Sequence, residues 1–489
     1  VKRFLENPVI IRIFLVLVLI PLLGFSPRPH QIDKAFYQAR LASSFGSYGD
    51  AITRVSTILT FVPERSDLWE LLGRYALQSG DFSSALSYFE RAAQTGKLSL
   101  PAQIYLGDAK MLSGDLSSAI TIWEDVLRVI NPSPDILARL AQAYQEQGDY
   151  PKAITALKAL VKLQPTDAQH LYQLGLLLTA EEPSNASPYL INAAQINPDF
   201  SQSAESIRQK IDTAGLADDP AYLHLEAGRS LAALNYWDLA FRAFQHTTQI
   251  RPDYAEGWAY LGEALQHKTN HQDPARSPIS GSSNDEAKKS LEKALELDPD
   301  SITANTFMAL YWQRQERNDL ALVYLHNAAD IAPKNATLQV ELGNTLASIG
   351  NLNAAYSYYQ HAVDLAPRDP SFWRSLASFS VKYEYQVRQI ALPAARQAIL
   401  INPQDLDSLD MMGQVFTLLN DRLSAQRFLQ RALQIDPGFA PARLHLGLVL
   451  MIDGDTTHAR EQLSLALSLS DPNSSVADQA ERLLQRYPP

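Results

Sequence analysis

Asp135-Ile-Leu-Ala-Arg-Leu-Ala-Gln-Ala-Tyr144, then Gln147-Gly-Asp-Tyr150, then Lys152-Ala-Ile-Thr-Ala-Leu-Lys-Ala-Leu-Val161 and Pro165 form the stretch whose reading decides the fold. Both outer segments place apolar residues at helical spacing, so the unit reads as two amphipathic helices joined by a short turn. Gly148 supplies the permissive backbone of that turn, Ala153 is small where the two helices cross closely, and Pro165 ends the second helix. One such hairpin cannot bury its own apolar face.

The unit recurs along the chain. Gly46, Gly80, Gly114 and Gly148 lie at a constant step of 34, and Ala51, Ala85, Ala119 and Ala153 keep it. Further on, Pro299, Pro333 and Pro367 share the step, as do the pairs Pro403 and Pro437, Gly413 and Gly447, and Ala425 and Ala459. Neighbouring hairpins therefore stack, and the stack's stability is a sum of local interfaces.

The pattern resembles the tetratricopeptide repeat from about residue 32 onward. Trp69-Glu-Leu-Leu72-Gly73 followed by Ala85, Phe89 and Ala92 carries the likeness, as does Trp258-Ala-Tyr-Leu261-Gly262 followed by Ala287, Leu291, Ala294 and Pro299. Leu342-Gly343, Ala355, Tyr359, Ala362 and Pro367 give a third copy, in which Tyr359 reads as core. The resemblance implies an all-α, right-handed superhelical solenoid of about twelve such helix pairs. Two sub-arrays are expected, residues 31–198 and 221–472, separated by an extra helix and joint at 199–220. Residues 268–284, rich in Pro, Ser and Gly, read as a mobile insertion between the helices of one pair, and residues 473–489 read as a polar-faced cap.

The 489 residues can bury a core, since 46% hydrophobic and 19% charged content is too apolar for a disordered chain. Net charge is −11, without a basic tract, which argues against nucleic acid as the main partner. The absence of Cys excludes disulfides, thiolate zinc sites and thiol nucleophiles, and leaves the compartment open.

Residues 9–25 form the only long apolar run, preceded by Lys2 and Arg3 and containing Arg12. Its uninterrupted part, Ile13 to Ile20, is short for a spanning helix, and a signal-peptide core also fits. Pro27 directly after Gly24-Phe-Ser26 disfavours cleavage, so residues 1–30 read as a retained transmembrane anchor. The charge balance puts the amino end in the cytoplasm and the array outside, although Arg28, Lys34 and Arg40 dilute that bias. An opening Val reads as a GUG start written literally, pointing to a bacterium, or as a trimmed chain.

No catalytic cluster emerges. His267 and His271 lie one helical turn apart near Asp273, but no Glu occupies the metalloprotease position, and a solvated pair is the plainer reading. Asn335 and Asn473 match the glycosylation acceptor, as does Asn185, and the first two read equally well as helix-start or turn residues. The resemblance implies a groove lined by the first helix of each pair, facing Arg74, Tyr105, Asp108, Arg139, Gln142, Glu226, Arg229, Tyr260, Glu263, Asn344 and Arg374. The Lys and Asn clamp of chaperone-binding members is absent as a set. The groove's mixed charges, amides and Tyr suit an extended polypeptide or folded partner. The expectation is a membrane-anchored scaffold for protein–protein interaction at the cell envelope, without cofactor, metal or enzymatic activity. The alternatives are an accessory subunit of an envelope polysaccharide or glycan synthesis or export machinery, since similar arrays precede glycosyltransferase domains in some families, and a metal-dependent enzyme at His267 and His271.

Overall fold

The computed structural model describes residues 29–130, 132–267, 281–472 and 474–486. Among them the chain forms 26 α-helices, two short 3-10 turns and no strand. The apolar run expected to cross a membrane lies outside the described residues, and none of the described helices is long and apolar enough to do so.

Two compact units divide between Ala243 and Phe244. The first holds the pairs Pro29–Ser44 with Tyr48–Leu59, Ser66–Gln78 with Phe82–Thr95, Leu100–Leu112 with Leu116–Val129, Pro134–Gln147 with Tyr150–Leu163, and Ala168–Glu181 with Ser187–Ile196. The phase slip expected after Pro198 takes the form of a supernumerary helix, Ser201–Gly215, packed between Ser187–Ile196 and Pro220–Ala233. The division falls inside the next helix, Trp237–Ile250. The second unit continues with Ala255–His267 and Gly281–Leu297, Ile302–Arg314 and Asn318–Ile331, Ala336–Ser348 and Leu352–Leu365, and Pro370–Lys382 and Ala391–Ile401. Leu406–Leu418 with Arg422–Ile435 and Ala440–Asp453 with Thr456–Leu469 complete it, followed by a single helix, Ser475–Arg486. Most of the insertion expected at 268–284 lies outside the described residues, and its last four residues already belong to the helix Gly281–Leu297.

Each turn within a pair solves the same local problem. Gly148 takes a left-handed φ of 78°, and Asp149 then caps the second helix by accepting from the Lys152 amide at 3.2 Å. Asp81 and Asp115 repeat the cap after Gly80 and Gly114. Between pairs, a first-helix side chain reaches back to the carbonyl of the preceding Pro. Trp69, Trp258 and Trp373 donate their indole N–H to Pro63, Pro252 and Pro367 at 2.9, 2.8 and 2.9 Å. That bond satisfies a backbone acceptor stranded where the previous helix has ended. Asn335 caps its helix by accepting from the Thr337 and Leu338 amides, in agreement with its reading as a helix-start residue.

The two helices of a pair touch at a first-helix glycine. A Cβ at Gly73 would sit 2.7 Å from the Phe89 ring, at Gly175 2.6 Å from Leu190, at Gly343 2.9 Å from Tyr359, and at Gly413 2.6 Å from Leu429. The opposing Phe89, Leu190, Tyr359 and Leu429 are all buried, which agrees with the core reading of Tyr359. Where the repeat lacks this glycine, Ala39, Ala141, Ala309 and Ala377 stand in register and are buried.

First helices are also tied to one another by ion pairs. Glu263, expected on a groove surface, is instead 6% exposed, held by Arg314 at 2.6 and 2.9 Å and by His267 at 3.0 Å. Burial pushes its carboxyl upward, but the Arg314 and His267 bonds prevail and hold it below the usual carboxylate range. The physical reason for the misplacement is that the Arg, 51 residues away in sequence, is invisible to local periodicity.

Two outcomes follow from this packing. Gly413→Ala forces Leu429 aside and destabilises its pair by about 1–3 kcal/mol, whereas Gly49→Ala, where a Cβ meets nothing within 4 Å, stabilises by about 0.5 kcal/mol. Because arrays open locally, amide hydrogen exchange in Leu406–Leu418 and Arg422–Ile435 reads the first, and exchange in Tyr48–Leu59 the second. Arg314→Ala strands a buried carboxylate and costs about 2 kcal/mol, less than a wholly buried pair because Arg314 keeps 30% of its side chain exposed. In the unaltered chain the Glu263 contribution is complete above its ordinary value of 4.5 and is lost as pH falls through the depressed folded value, so acid titration of exchange in Ala255–His267 shows weakening that begins below 4.5 and is complete once the pH is below the folded value.

Candidate functional site

Three consecutive first helices of the second unit, Ala336–Ser348, Pro370–Lys382 and Leu406–Leu418, each turn one face to a shared concavity of about 650 Å³. Helical spacing selects the faces: Val340, Asn344 and Ser348 on one helix, Arg374, Ser378 and Lys382 on the next, and Asp407, Asp410 and Met411 on the third. Tyr359, Phe379 and Tyr383 supply aromatic surface behind them, with the Tyr359 and Phe379 rings stacked at 4.8 Å.

Several of these groups are fixed in place. Tyr359 donates its hydroxyl to Asn344 Oδ1. Burial drives that phenol far above its ordinary value, so it remains a donor at any physiological pH. The Arg374 guanidinium bonds Asp405 at 2.6 Å and lies 3.8 Å from Asp407. Asp405 in turn accepts from the Ser408 amide at the start of its helix. Asp410 is buried, accepts from Gln414 at 2.9 Å and meets His445 Nδ1 at 2.7 Å. Lys382 differs: it is exposed, makes no ion pair among the described residues, and lies with its ammonium 5.4 Å from the Tyr383 ring centroid. The concavity thus offers a cation without an ion pair among the described residues, an exposed acid at Asp407, serine side chains and the partly exposed Tyr383 ring within one trough, a set suited to hydrogen-bonding an extended chain.

The other expected groove residues fall into smaller groups. Arg74 and Tyr105 line a concavity of about 150 Å³ with Glu70 and Ser99, where the Arg74 Nε is buried without a hydrogen-bond partner. Glu70 there accepts from the Ser99 amide and hydroxyl at 2.8 and 2.7 Å. Arg139 grips Asp108 through two bonds of 2.6 and 3.0 Å, tying two consecutive first helices together. Gln142 donates to Glu146 at 3.0 Å on its own helix, and Arg229 pairs with Glu226 at 2.6 Å. Tyr260 is packed between Phe244 and Phe307, with ring centroids 5.2 and 5.0 Å away. Of the eleven, the structure brings together Arg74 with Tyr105, Asp108 with Arg139, Glu226 with Arg229, and Asn344 with Arg374.

His267 is committed to Glu263 and Arg314, and His271 lies outside the described residues. Among the described residues no group of three or more His, Asp or Glu is arranged to hold a metal ion. Sequence reasoning missed Ser378, Lys382, Asp410 and Met411. A signal existed for the first two, which follow Arg374 at steps of four on one helical face. None existed for Asp410, whose partner His445 comes from the next pair.

Tetratricopeptide-repeat family models match residues 37–99 and 70–133, 111–174, and 283–301 and 336–369. Among curated proteins, the chain is similar to a peroxisomal targeting signal receptor of Saccharomyces cerevisiae, 24% identical over 243 residues covering 48% of this chain and 37% of that protein. It is also similar to the BBSome complex member BBS4 homolog of Drosophila melanogaster, 23% identical over 341 residues covering 62% of this chain and 65% of that protein. The chain thus spans less than two thirds of the length of either relative. Among solved structures it is similar to yeast Tom70, at 13% identity and a TM-score of 0.43, covering 93% of this chain and 95% of that one. The matched segments carry tetratricopeptide repeats, and the step of 34 and the paired helices extend the same pattern through the other described residues.

Proposed function

We propose that the chain is a scaffold that holds an extended segment of a partner protein against the first-helix faces of its second unit, and that it performs no reaction. The observation that carries this reading is the trough across Ala336–Ser348, Pro370–Lys382 and Leu406–Leu418, with unpaired Lys382 on the middle helix and exposed Asp407 and buried Asp410 on the third. A strand laid across three helices meets both charge signs, four serine side chains and the partly exposed Tyr383 ring, so recognition is spread over several contacts with a few anchors carrying most of the affinity. The relative named as a peroxisomal targeting signal receptor supports the same reading by analogy.

The scaffold is tethered to a membrane by residues 9–25, with the amino end cytoplasmic and the repeats on the outer side, at the envelope of a bacterial cell. Support comes from that run's apolar character and the Lys2, Arg3 and Arg12 charges around its start. The Arg74 and Tyr105 concavity in the first unit is a second contact point of the same kind.

Photo-crosslinking tests the groove. A photoreactive residue at Ser378 captures a defined partner in cells, whereas one at exposed Leu423, on a second helix, does not. Lys382→Glu weakens that partner's binding by about tenfold, the effect of losing one anchor. Equal capture from Ser378 and Leu423, with no effect of Lys382→Glu, contradicts the proposal. Protease added to intact spheroplasts digests the repeats under the stated topology, and protection reverses it.

A further inference from the structure

The first helix of the array behaves unlike its counterparts. Ser66–Gln78 buries Leu68, Leu72, Tyr75 and Ala76, whereas Pro29–Ser44 fully buries only Ala39 among its described side chains. Its core-facing side, Ile32, Phe36 and Ala39, packs on its own pair. On the opposite side Tyr37 and Leu41 stand one helical turn apart, 67% and 45% exposed, and Phe45 follows in the turn just past the helix end, 78% exposed. Lys34 and Arg40 flank that stripe, both exposed and neither in an ion pair among the described residues, and Asp33 is the helix's one acid.

We infer that the Tyr37, Leu41 and Phe45 stripe, with Lys34 and Arg40, is a docking surface for the headgroup region of an anionic phospholipid bilayer. Aromatic and aliphatic side chains beside unpaired cations are the composition that settles at a membrane interface, where rings lie among headgroups and Lys and Arg meet phosphates. The chain's own geometry puts lipid within reach. From Pro29 to Tyr37 the helix advances about 12 Å, and the residues between Phe25 and Pro29 add at most about 14 Å. The stripe therefore begins within about 26 Å of the end of the apolar run at 9–25. This inference rests on the reading of that run as a membrane anchor. A second copy of the chain is the rival occupant; two identical stripes would bring Lys34 and Arg40 toward their own equivalents, which repel.

The chain contains no Cys, so a single label can be placed without background. Full-length chain carrying Leu41→Cys, labelled with an environment-sensitive fluorophore, is reconstituted into phosphatidylcholine vesicles with or without phosphatidylglycerol and with lipid-borne nitroxide quencher. The control is the same label at Thr57→Cys, exposed on the second helix of the same pair. The expected result is several-fold stronger quenching at position 41 than at 57. Phosphatidylglycerol should enhance it, and each of Lys34→Glu and Arg40→Glu should reduce that enhancement by about fivefold, the effect of one surface cation. Vesicle flotation reports the anchor separately. A chain that floats with equal quenching at both positions overturns the docking surface while the anchor stands. A chain that does not float overturns both. A blue shift at position 41 that depends on protein concentration and is indifferent to lipid assigns the stripe to a second copy and also overturns the proposal.

Discussion

Within each pair, a bulky side chain of the second helix lies in the space left where the first helix has no Cβ or only a methyl group. Leu429 over Gly413, Tyr359 over Gly343 and Phe89 over Gly73 are the same contact made three times. It brings the two backbones close enough for the alanines of the second helix, such as Ala355 and Ala425, to be fully buried. A pair fixed this way still exposes one apolar face, and only the next pair covers it. The Trp69, Trp258 and Trp373 bonds to the preceding prolines tie the start of three of these pairs to the pair before. Repeating one close contact and one inter-pair tether yields a series of first helices presenting equivalent faces, and that series is the origin of the trough.

The trough's chemistry comes from residues the packing leaves free to vary. On Pro370–Lys382, Leu376, Ala377, Phe379 and Ser380 are buried, which leaves Arg374, Ser378 and Lys382 as the outward row. Some outward positions have been recruited into cohesion instead. Glu263 with Arg314 and Asp108 with Arg139 bind one first helix to the next, so their charges are spent within the array. Lys382 has no such commitment among the described residues, which is why the proposed partner contact is placed on it and not on the better-packed charges.

The architecture was largely legible because its signals are local and periodic. The step of 34, the Gly-Asp turn at Gly148 and Asp149, and the helix-ending prolines each act within a few residues, and twelve repetitions made them unambiguous. Less visible was the left-handed turn where Glu316 and Glu384 replace glycine, since the stack imposes a conformation their own preference opposes, whereas Asn420 in the same place tolerates it. The site was legible only in outline. Counting along a helix finds Asn344 and Arg374, but whether an outward residue stays free depends on partners in the next pair, as with Glu263 and with Asp410 beside His445.

Hydrogen–deuterium exchange of the full chain with its captured partner tests the central claim most directly. The account predicts new protection concentrated in Ala336–Ser348, Pro370–Lys382 and Leu406–Leu418, with the second helices Leu352–Leu365, Ala391–Ile401 and Arg422–Ile435 little changed. Protection confined to the second helices, or a bound partner that leaves all three first helices unaltered, would contradict it.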